Sequence, residues 1–240
     1  MFIISCKYDG AEHPNHDPSK AIPKKSPIKE CVKSIVELHP NEKVVVVDSD
    51  SGDKSYFHDI QKYDNVIILD CKNKNRVCGS FYEAYMNFRD EDTYVLVHDS
   101  LTFKKSIQKF IESEIECFSF MYFTEHVHNW GSQYDPYSWN ILDNSDYERP
   151  KTGSVTGCFG PLFIVKNRIA KNMEKKGLFK NLTVTNKTEC AMWEKIFGEV
   201  LKQEGYCPTQ YNIEGDFKSK VNQVGSGGLE YFVKLRLGRA

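Results

Sequence analysis

Polar residues cluster directly after four short β-rich runs in the first hundred positions. Phe2 to Cys6 is followed by Lys7-Tyr8-Asp9, and Lys43 to Val47 by Asp48-Ser49-Asp50-Ser51-Gly52-Asp53. Asn65 to Leu69 leads into Asp70-Cys71-Lys72, and Thr93 to Val97 into His98-Asp99-Ser100. In an open α/β sheet, ligands gather outside the carboxyl ends of the strands. One polar strand end is what any solvated loop looks like, but four carboxylate-bearing or basic ends together point to a binding site. Further on, His126 and His128 form an H-x-H that puts both rings on one face of a strand. No third metal ligand accompanies them, so they read as surface or hydrogen-bonded histidines. Lys218, Lys220, Lys234, Arg236 and Arg239 make the C-terminal tail basic. It reads either as a lid for an anionic ligand or as a solvated terminus, and the second is preferred.

The elements that must position these groups follow from periodicity. Val44-Val45-Val46-Val47 is apolar at every position, as in a central strand covered on both faces. Ser26-Pro27 starts a helix with Cys31, Val32, Ile35, Val36 and Leu38 at helical spacing. Phe81, Ala84, Tyr85 and Phe88 form a second apolar stripe, and Ile107, Phe110 and Ile111 suggest a helix after the fourth strand. Strands alternating with helices predict an α/β fold with a mainly parallel sheet. The segment Asp9 to Lys25 reads as a loop. In the second half, Cys117 to His126 reads as one strand, Trp130 to Lys151 as an aromatic loop and Leu162 to Val165 as a short strand. A helix through Ile169 and Met173 follows, and then the clearest one, with Trp193, Ile196, Phe197, Val200 and Leu201 on one face, ending near Gly205. Tyr206 to Ala240 reads as irregular.

Composition narrows the classes. With 240 residues, 27% charged and 13% aromatic, the chain forms a real core and is neither disordered nor a coiled coil. No apolar run reaches the roughly 20 residues of a membrane span, and no secretory signal opens the chain, so a soluble, cytoplasmic protein is expected. Eight cysteines without a C-x-x-C read as reduced core thiols, and the N-x-[ST] triplets at Asn181 and Asn186 as chance matches. Residues 1–150 hold 17 basic and 25 acidic side chains against 15 and 8 in the remainder. No nucleic-acid-binding module is present; a small anionic ligand between an acidic and a basic half fits better. The dinucleotide G-x-G-x-x-G, the P-loop and the G-x-S-x-G elbow are all absent.

The order of motifs resembles a glycosyltransferase of the GT-A fold, similar to the family-2-like nucleotide-sugar transferases. VVVVDSDSGD (Val44 to Asp53) resembles that group's strand and nucleotide motif, and NRVCGSFYEAYMN (Asn75 to Asn87) its N-x-G-x-x-x-A-x-N helix. YVLVHDS (Tyr94 to Ser100) stands where a strand ends in Asp-x-Asp. Thr156 to Gly160 resembles the acceptor-side T-G-x-x-G, and Thr188 to Trp193 the start of the E-D helix. The resemblance spans residues 1 to 205. It implies one Rossmann-like domain with a nucleotide-sugar half (1–115), an acceptor half (116–205) and a tail (206–240).

The resemblance also implies roles. Asp48 or Asp50 would accept from the base N3–H, with Lys7, Tyr8 and Arg76 lining base and phosphates. Asp99 would ligate Mn²⁺ or Mg²⁺, which neutralises the leaving diphosphate. The family has two carboxylates where this chain has His98-Asp99-Ser100, so His98 or a water on Ser100 would complete the shell. Asp99 could instead cap the next helix, and basic tail residues could hold the diphosphate. Glu189 is the expected general base, its rival role being a first-turn cap after Thr188; Glu194 is the fallback. Trp130, Tyr134, Tyr137 and Trp139 form either a platform for an acceptor sugar or loop anchors. The donor would be a nucleotide sugar, UDP-sugar first, and the acceptor a glycan or small hydroxyl compound, the transfer inverting. Two alternatives remain: a nucleotidyltransferase making nucleotide sugars, and a non-catalytic GT-A-like binding domain.

Overall fold

The computed structural model describes residues 1–8, 26–126, 135–150, 154–224 and 226–234. In chain order the elements are β1 (Phe2–Cys6), α1 (Ile28–Leu38), β2 (Val44–Asp48), α2 (Tyr56–Ile60), β3 (Val66–Leu69), α3 (Arg76–Asn87), β4 (Thr93–His98), β5 (Leu101–Phe103) and α4 (Gln108–Ile111). They continue with β6 (Cys117–Ser119), β7 (Tyr122–His126), α5 (Asp135–Asp143), β8 (Ser154–Cys158), β9 (Phe163–Lys166), α6 (Asn167–Lys175), α7 (Lys187–Gln203), α8 (Phe217–Lys220) and β10 (Phe232–Lys234).

The central sheet has the order β3-β2-β1-β4-β9-β6. The first four strands are parallel, and β9 runs antiparallel to both β4 and β6. Alternation along β2 explains its unbroken valines. Val44 and Val46 join Phe2, Ile4 and the apolar face of α1 in one core. Val45 and Val47 join Ile3, Phe81, Trp193 and Phe197 in the other. Every residue of Val44–Val47 is fully buried, as expected for a strand with helices on both faces. The four parallel strands therefore deliver their carboxyl ends to one edge of the molecule.

Several sequence expectations are corrected. Cys117 to His126 is two strands: β6 ends the central sheet, the buried Phe120-Met121 step leaves it, and β7 pairs antiparallel with β8. The segment expected as a loop from Trp130 contains α5, which opens at Asp135-Pro136 and buries Ile141 and Leu142. His128, Trp130 and Tyr134 lie outside the described residues, as do Arg236 and Arg239. α1 begins at Ile28, with Ser26 Oγ accepting weakly from the Ile28 amide at 3.4 Å. The cap of α7 is Asn186 and not Thr188, and Gly205 follows the helix at φ +95°.

The largest correction concerns the tail. β10 pairs antiparallel with β5, Lys234 opposite Leu101, and Val224, Leu229, Tyr231 and Phe232 are buried. Glu214, 4% exposed, accepts from the amides of Glu230 and Tyr231. Lys104 Nζ donates to the carbonyls of Gly227 and Leu229. The hydrogen bonds that make this arm ordered come from side chains far away in sequence, which is why its local pattern looked irregular. All eight cysteines are free thiols, five of them buried.

Candidate functional site

At the end of β2, Asp48 is fully buried. Its Oδ2 accepts from the Ser51 amide at 3.0 Å and its Oδ1 from the Tyr56 hydroxyl at 2.5 Å. Burial, then the nearby Cys6 and Asp48, push the Tyr56 phenol far above its ordinary value, so it remains a donor. Ser51 Oγ in turn accepts from the Tyr8 amide at 2.8 Å, and Tyr8 O accepts from Asp53 N at 3.1 Å. Asp48 and the backbone of Tyr8 thus lace the ends of β1 and β2 together. The exposed groups are Lys7 and Asp50, the latter at φ +60°. Arg76, half-buried at φ +54°, opens α3; its carbonyl accepts from Asn73 Nδ2 at 2.7 Å, and Asn73 also donates to Ser49 and Ser80.

The end of β4 meets the turn between β8 and β9. His98 Nε2 stands 2.5 Å from the Gly160 carbonyl; a carbonyl only accepts, so Nε2 carries the proton. The amide of the same glycine donates to Glu194 Oε1 at 3.0 Å. Gly160 has φ +69°, and a Cβ placed on it would lie 3.6 Å from Lys234 Cε. Glycine is needed there for backbone conformation, and the Lys234 side chain lies beside it. His98, Gly160, Glu194 and Lys234 therefore converge from β4, the β8–β9 turn, α7 and β10. Asp99, 5% exposed, sits next to His98 with its amide bonded to Ser5 O at 3.1 Å.

The position of Glu194 is set by how α7 is pinned to β8. A Cβ on Gly198 would come within 1.9 Å of Thr156 O, so only glycine permits the approach. Glu199 Oε1 accepts from the Thr156 amide at 3.1 Å on the same contact.

Electrostatics single out Glu194. Its carboxyl is pushed up to about 7, chiefly by burial; Glu125 adds to the rise, while the Gly160 amide and Lys234 oppose it. Desolvation disfavours the charged form of a carboxylate. Around it, the thiols of Cys78, Cys158 and Cys190 are raised first by burial and further by Glu194 itself. Arg76 lowers Cys190, so this arginine flanks the site on the α3 side. Burial raises the Cys31 thiol, the nearby Asp99 raises it further, and Lys234 opposes the rise.

Glu189 is placed differently. Its Oε2 accepts from the amide and hydroxyl of Thr185 at 2.5 and 2.8 Å, while its own amide donates to Asn186 Oδ1 at 2.9 Å. This is reciprocal capping of the α7 start. Tyr137 donates to Thr183 O at 2.6 Å and accepts from Trp193 Nε1 at 2.8 Å, anchoring α5 to α7. Lys218 and Lys220 pair with Glu125 and Glu214. Sequence reasoning has Gly160 only as the end of the T-G-x-x-G segment and Lys234 only in a basic tail whose solvated reading is preferred, and it misses the strand that places Lys234 beside Gly160. The short apolar Tyr231-Phe232-Val233 preceding Lys234 was the available signal.

A divalent cation of the Mn²⁺ or Mg²⁺ type wants several hard oxygen ligands. Asp99 offers one carboxylate, His98 has its Nε2 proton on Gly160, and no group of three potential ligands occurs among the described residues. These side chains do not make that donor set.

No protein-family model and no curated protein sequence matches the chain. Solved structures do. Core-mannan synthase A from Aspergillus fumigatus, in an Mn/GDP form, is 8% identical over 76% of this chain and 66% of its own, with a TM-score of 0.46. CMP:2-keto-3-deoxy-manno-octonic acid synthetase complexed with CTP is 11% identical over 85% and 86%, with a TM-score of 0.44. Mouse xyloside xylosyltransferase 1 is 8% identical over 82% and 80%, with a TM-score of 0.41. The chain spans about two thirds of the length of the mannan synthase. Its central sheet sets one antiparallel strand, β9, beside four parallel ones. At these identities and with TM-scores below 0.5 the likenesses carry no argument about this chain, and the chemistry has to come from the site's own side chains. No helix among the described residues is long and apolar enough to cross a membrane.

Proposed function

We propose that the protein is a GT-A-type glycosyltransferase that moves a sugar from a nucleoside diphosphate sugar, UDP-sugar first, to a hydroxyl of a glycan or other small acceptor, with inversion. The observation that carries this reading is Glu194: a carboxylate with an acidity near neutral, held on the Gly160 amide beside Lys234 at the carboxyl end of β4. A general base works best when its pKa lies near the working pH. The acceptor hydroxyl gives its proton to Glu194 while its oxygen forms the new bond to the sugar C1. The bond from C1 to the diphosphate breaks, and its electron pair stays on the leaving phosphate oxygen.

The other residues take supporting parts. Asp50, exposed at the end of β2, is the carboxylate available to the nucleobase, with Lys7 and Arg76 towards the phosphates. Asp48 and Tyr8 hold that loop in shape, and His98 fixes the Gly160 carbonyl so that its amide stays aimed at Glu194. A polar cleft lined by Asn75, Tyr82, Glu83 and Asn140 opens beside Arg76; its amides and half-buried ring suit an acceptor sugar.

The test is ³¹P NMR of the protein with UDP-, GDP- and CDP-sugars and a panel of glycans. Release of nucleoside diphosphate with a product of inverted anomeric configuration supports the reading. Pyrophosphate formed from a nucleoside triphosphate and a sugar phosphate would make it a nucleotidyltransferase instead. Binding without turnover would leave a non-catalytic domain.

A further inference from the structure

The polar cleft on α3 begins some way from Glu194 and runs on away from it. At its near end Asn75 Oδ1 accepts from the Val184 amide at 3.0 Å, just ahead of α7. From Lys187, where that helix starts, to Glu194 the axis rises about 10 Å. At the far end stand Tyr82 and Glu83, and from Asn75 to Glu83 the axis of α3 rises about 12 Å. A hexopyranose, a ring of bonds near 1.5 Å, spans only roughly 5 Å between its linkage oxygens. Resting on the transferase reading, we propose that the acceptor is an oligosaccharide of three or more residues: its end sugar meets Glu194, and the residues behind it lie along α3 in this cleft.

Size and lining both suit such a chain. The cleft holds about 420 Å³, within the range of pockets that take ligands of several rings. Tyr82, half-buried, packs on Phe179 with ring centroids 5.2 Å apart. The Tyr82 hydroxyl, the Glu83 carboxylate, the Asn181 side chain and Asn75 Nδ2 make no hydrogen bond among the described residues. Sugar hydroxyls both donate and accept, and a carboxylate, two amides and a phenol answer both needs. The aromatic ring offers a surface to the apolar face of a pyranose.

The cleft is also shaped before any ligand arrives. Phe179 stacks on Trp193, with centroids 6.4 Å apart and planes at 8°. Trp193 Nε1 donates to the Tyr137 hydroxyl, which donates to the carbonyl of Thr183 in the cleft wall. Trp193 is the residue before Glu194, so one indole braces both the cleft and the turn of α7 that carries the base. Ligands lose less on binding to a site held in this way.

The experiment is saturation-transfer NMR titration of the whole chain with free sugars of one to five residues from the mannose, glucose, galactose and N-acetylglucosamine series. In one series the trisaccharide should bind at least about 10-fold more tightly than its monosaccharide, as added ring and hydroxyl contacts imply. Tyr82→Ala should weaken the trisaccharide by about 10-fold and leave the monosaccharide unchanged. Tyr82→Phe should restore most of the loss. Asn181→Ala, at an exposed position, gives a second reading in case Tyr82→Ala loosens α3. Met86→Ala, on the same helix outside the cleft, should bind as wild type, and thermal midpoints of the unliganded variants show which are folded. A monosaccharide that binds as tightly as its trisaccharide, wild-type trisaccharide affinity in both folded cleft variants, or no binding in any series overturns the inference. Calorimetry with UDP, GDP and CDP tests the transferase reading separately. Nucleotide binding with any of those three outcomes leaves that reading standing with another acceptor, and binding of neither sugar nor nucleotide sinks both.

Discussion

Replacing Glu194 by glutamine should make the protein more stable at alkaline pH. In the unfolded chain this carboxyl titrates near the ordinary 4.5, whereas the fold pushes it up to about 7, mainly through burial. Each unit of difference is worth about 1.4 kcal/mol, so this half-buried carboxylate costs the native state on the order of 3 kcal/mol once it is ionised. Below about pH 4.5 both states hold the proton and the cost is absent. Between about 4.5 and 7 the unfolded chain releases the proton while the native state keeps it, and native stability falls as pH rises. Above about 7 the full cost is present. A glutamine is never charged, and its carbonyl can still accept from the Gly160 amide. The stability difference between Glu194→Gln and wild type, measured by urea unfolding at several pH values, should therefore climb from near zero at pH 4, through about 0.8 kcal/mol at pH 5, towards about 3 kcal/mol at pH 8. Taking the difference cancels the other titrating groups. A difference that stays flat, or one in which the wild type gains on the variant as pH rises, would refute the assignment of a raised acidity to this residue.

Other substitutions separate scaffold from chemistry. Asp48→Ala strands the Tyr56 hydroxyl and the Ser51 amide and should cost about 1–3 kcal/mol in urea unfolding, whereas Asp50→Ala should change stability by less than about 0.5 kcal/mol while weakening nucleotide binding in calorimetry. Glu189→Gln keeps a side chain suited to the helix cap, so both the melting temperature and sugar transfer should survive it; loss of transfer without unfolding would return the base to Glu189. Gly198→Ala forces a methyl against Thr156 O and should destabilise by about 3 kcal/mol or more, with transfer falling as Glu194 is displaced.

Much of the fold was legible because it is written locally. The four valines of β2, the apolar stripe of α3 and the face of α7 each carry a period that only one element satisfies. The strand ends that form the site follow directly from them. What escaped was held by long-range contacts. β10 is three residues long, too short for a period, and exists because Glu214 and β5 supply its partners. β7 looked continuous with β6 because the aromatic and apolar residues run on across the junction, from Phe118 to Phe123, and only the exit at Phe120-Met121 separates them. At the site, the family resemblance alone ranked Glu189 above Glu194, against the rival reading of a first-turn cap. The capping bonds to Thr185 and Asn186 occupy Glu189, and the approach of α7 to β8 carries Glu194 to Gly160. That approach depends on Gly198 and Glu199, whose partners lie more than forty residues away.

The most direct test of the account is turnover of one nucleotide sugar by wild type and by Glu194→Gln across pH 5 to 9, with affinity for the free nucleoside diphosphate measured alongside. The account predicts that wild-type turnover rises with pH and levels off above about 7. In the variant it should drop by about 10²–10⁴-fold, with nucleoside diphosphate affinity unchanged. Wild-type turnover in the glutamine variant, or a pH profile that ignores this residue, would contradict it.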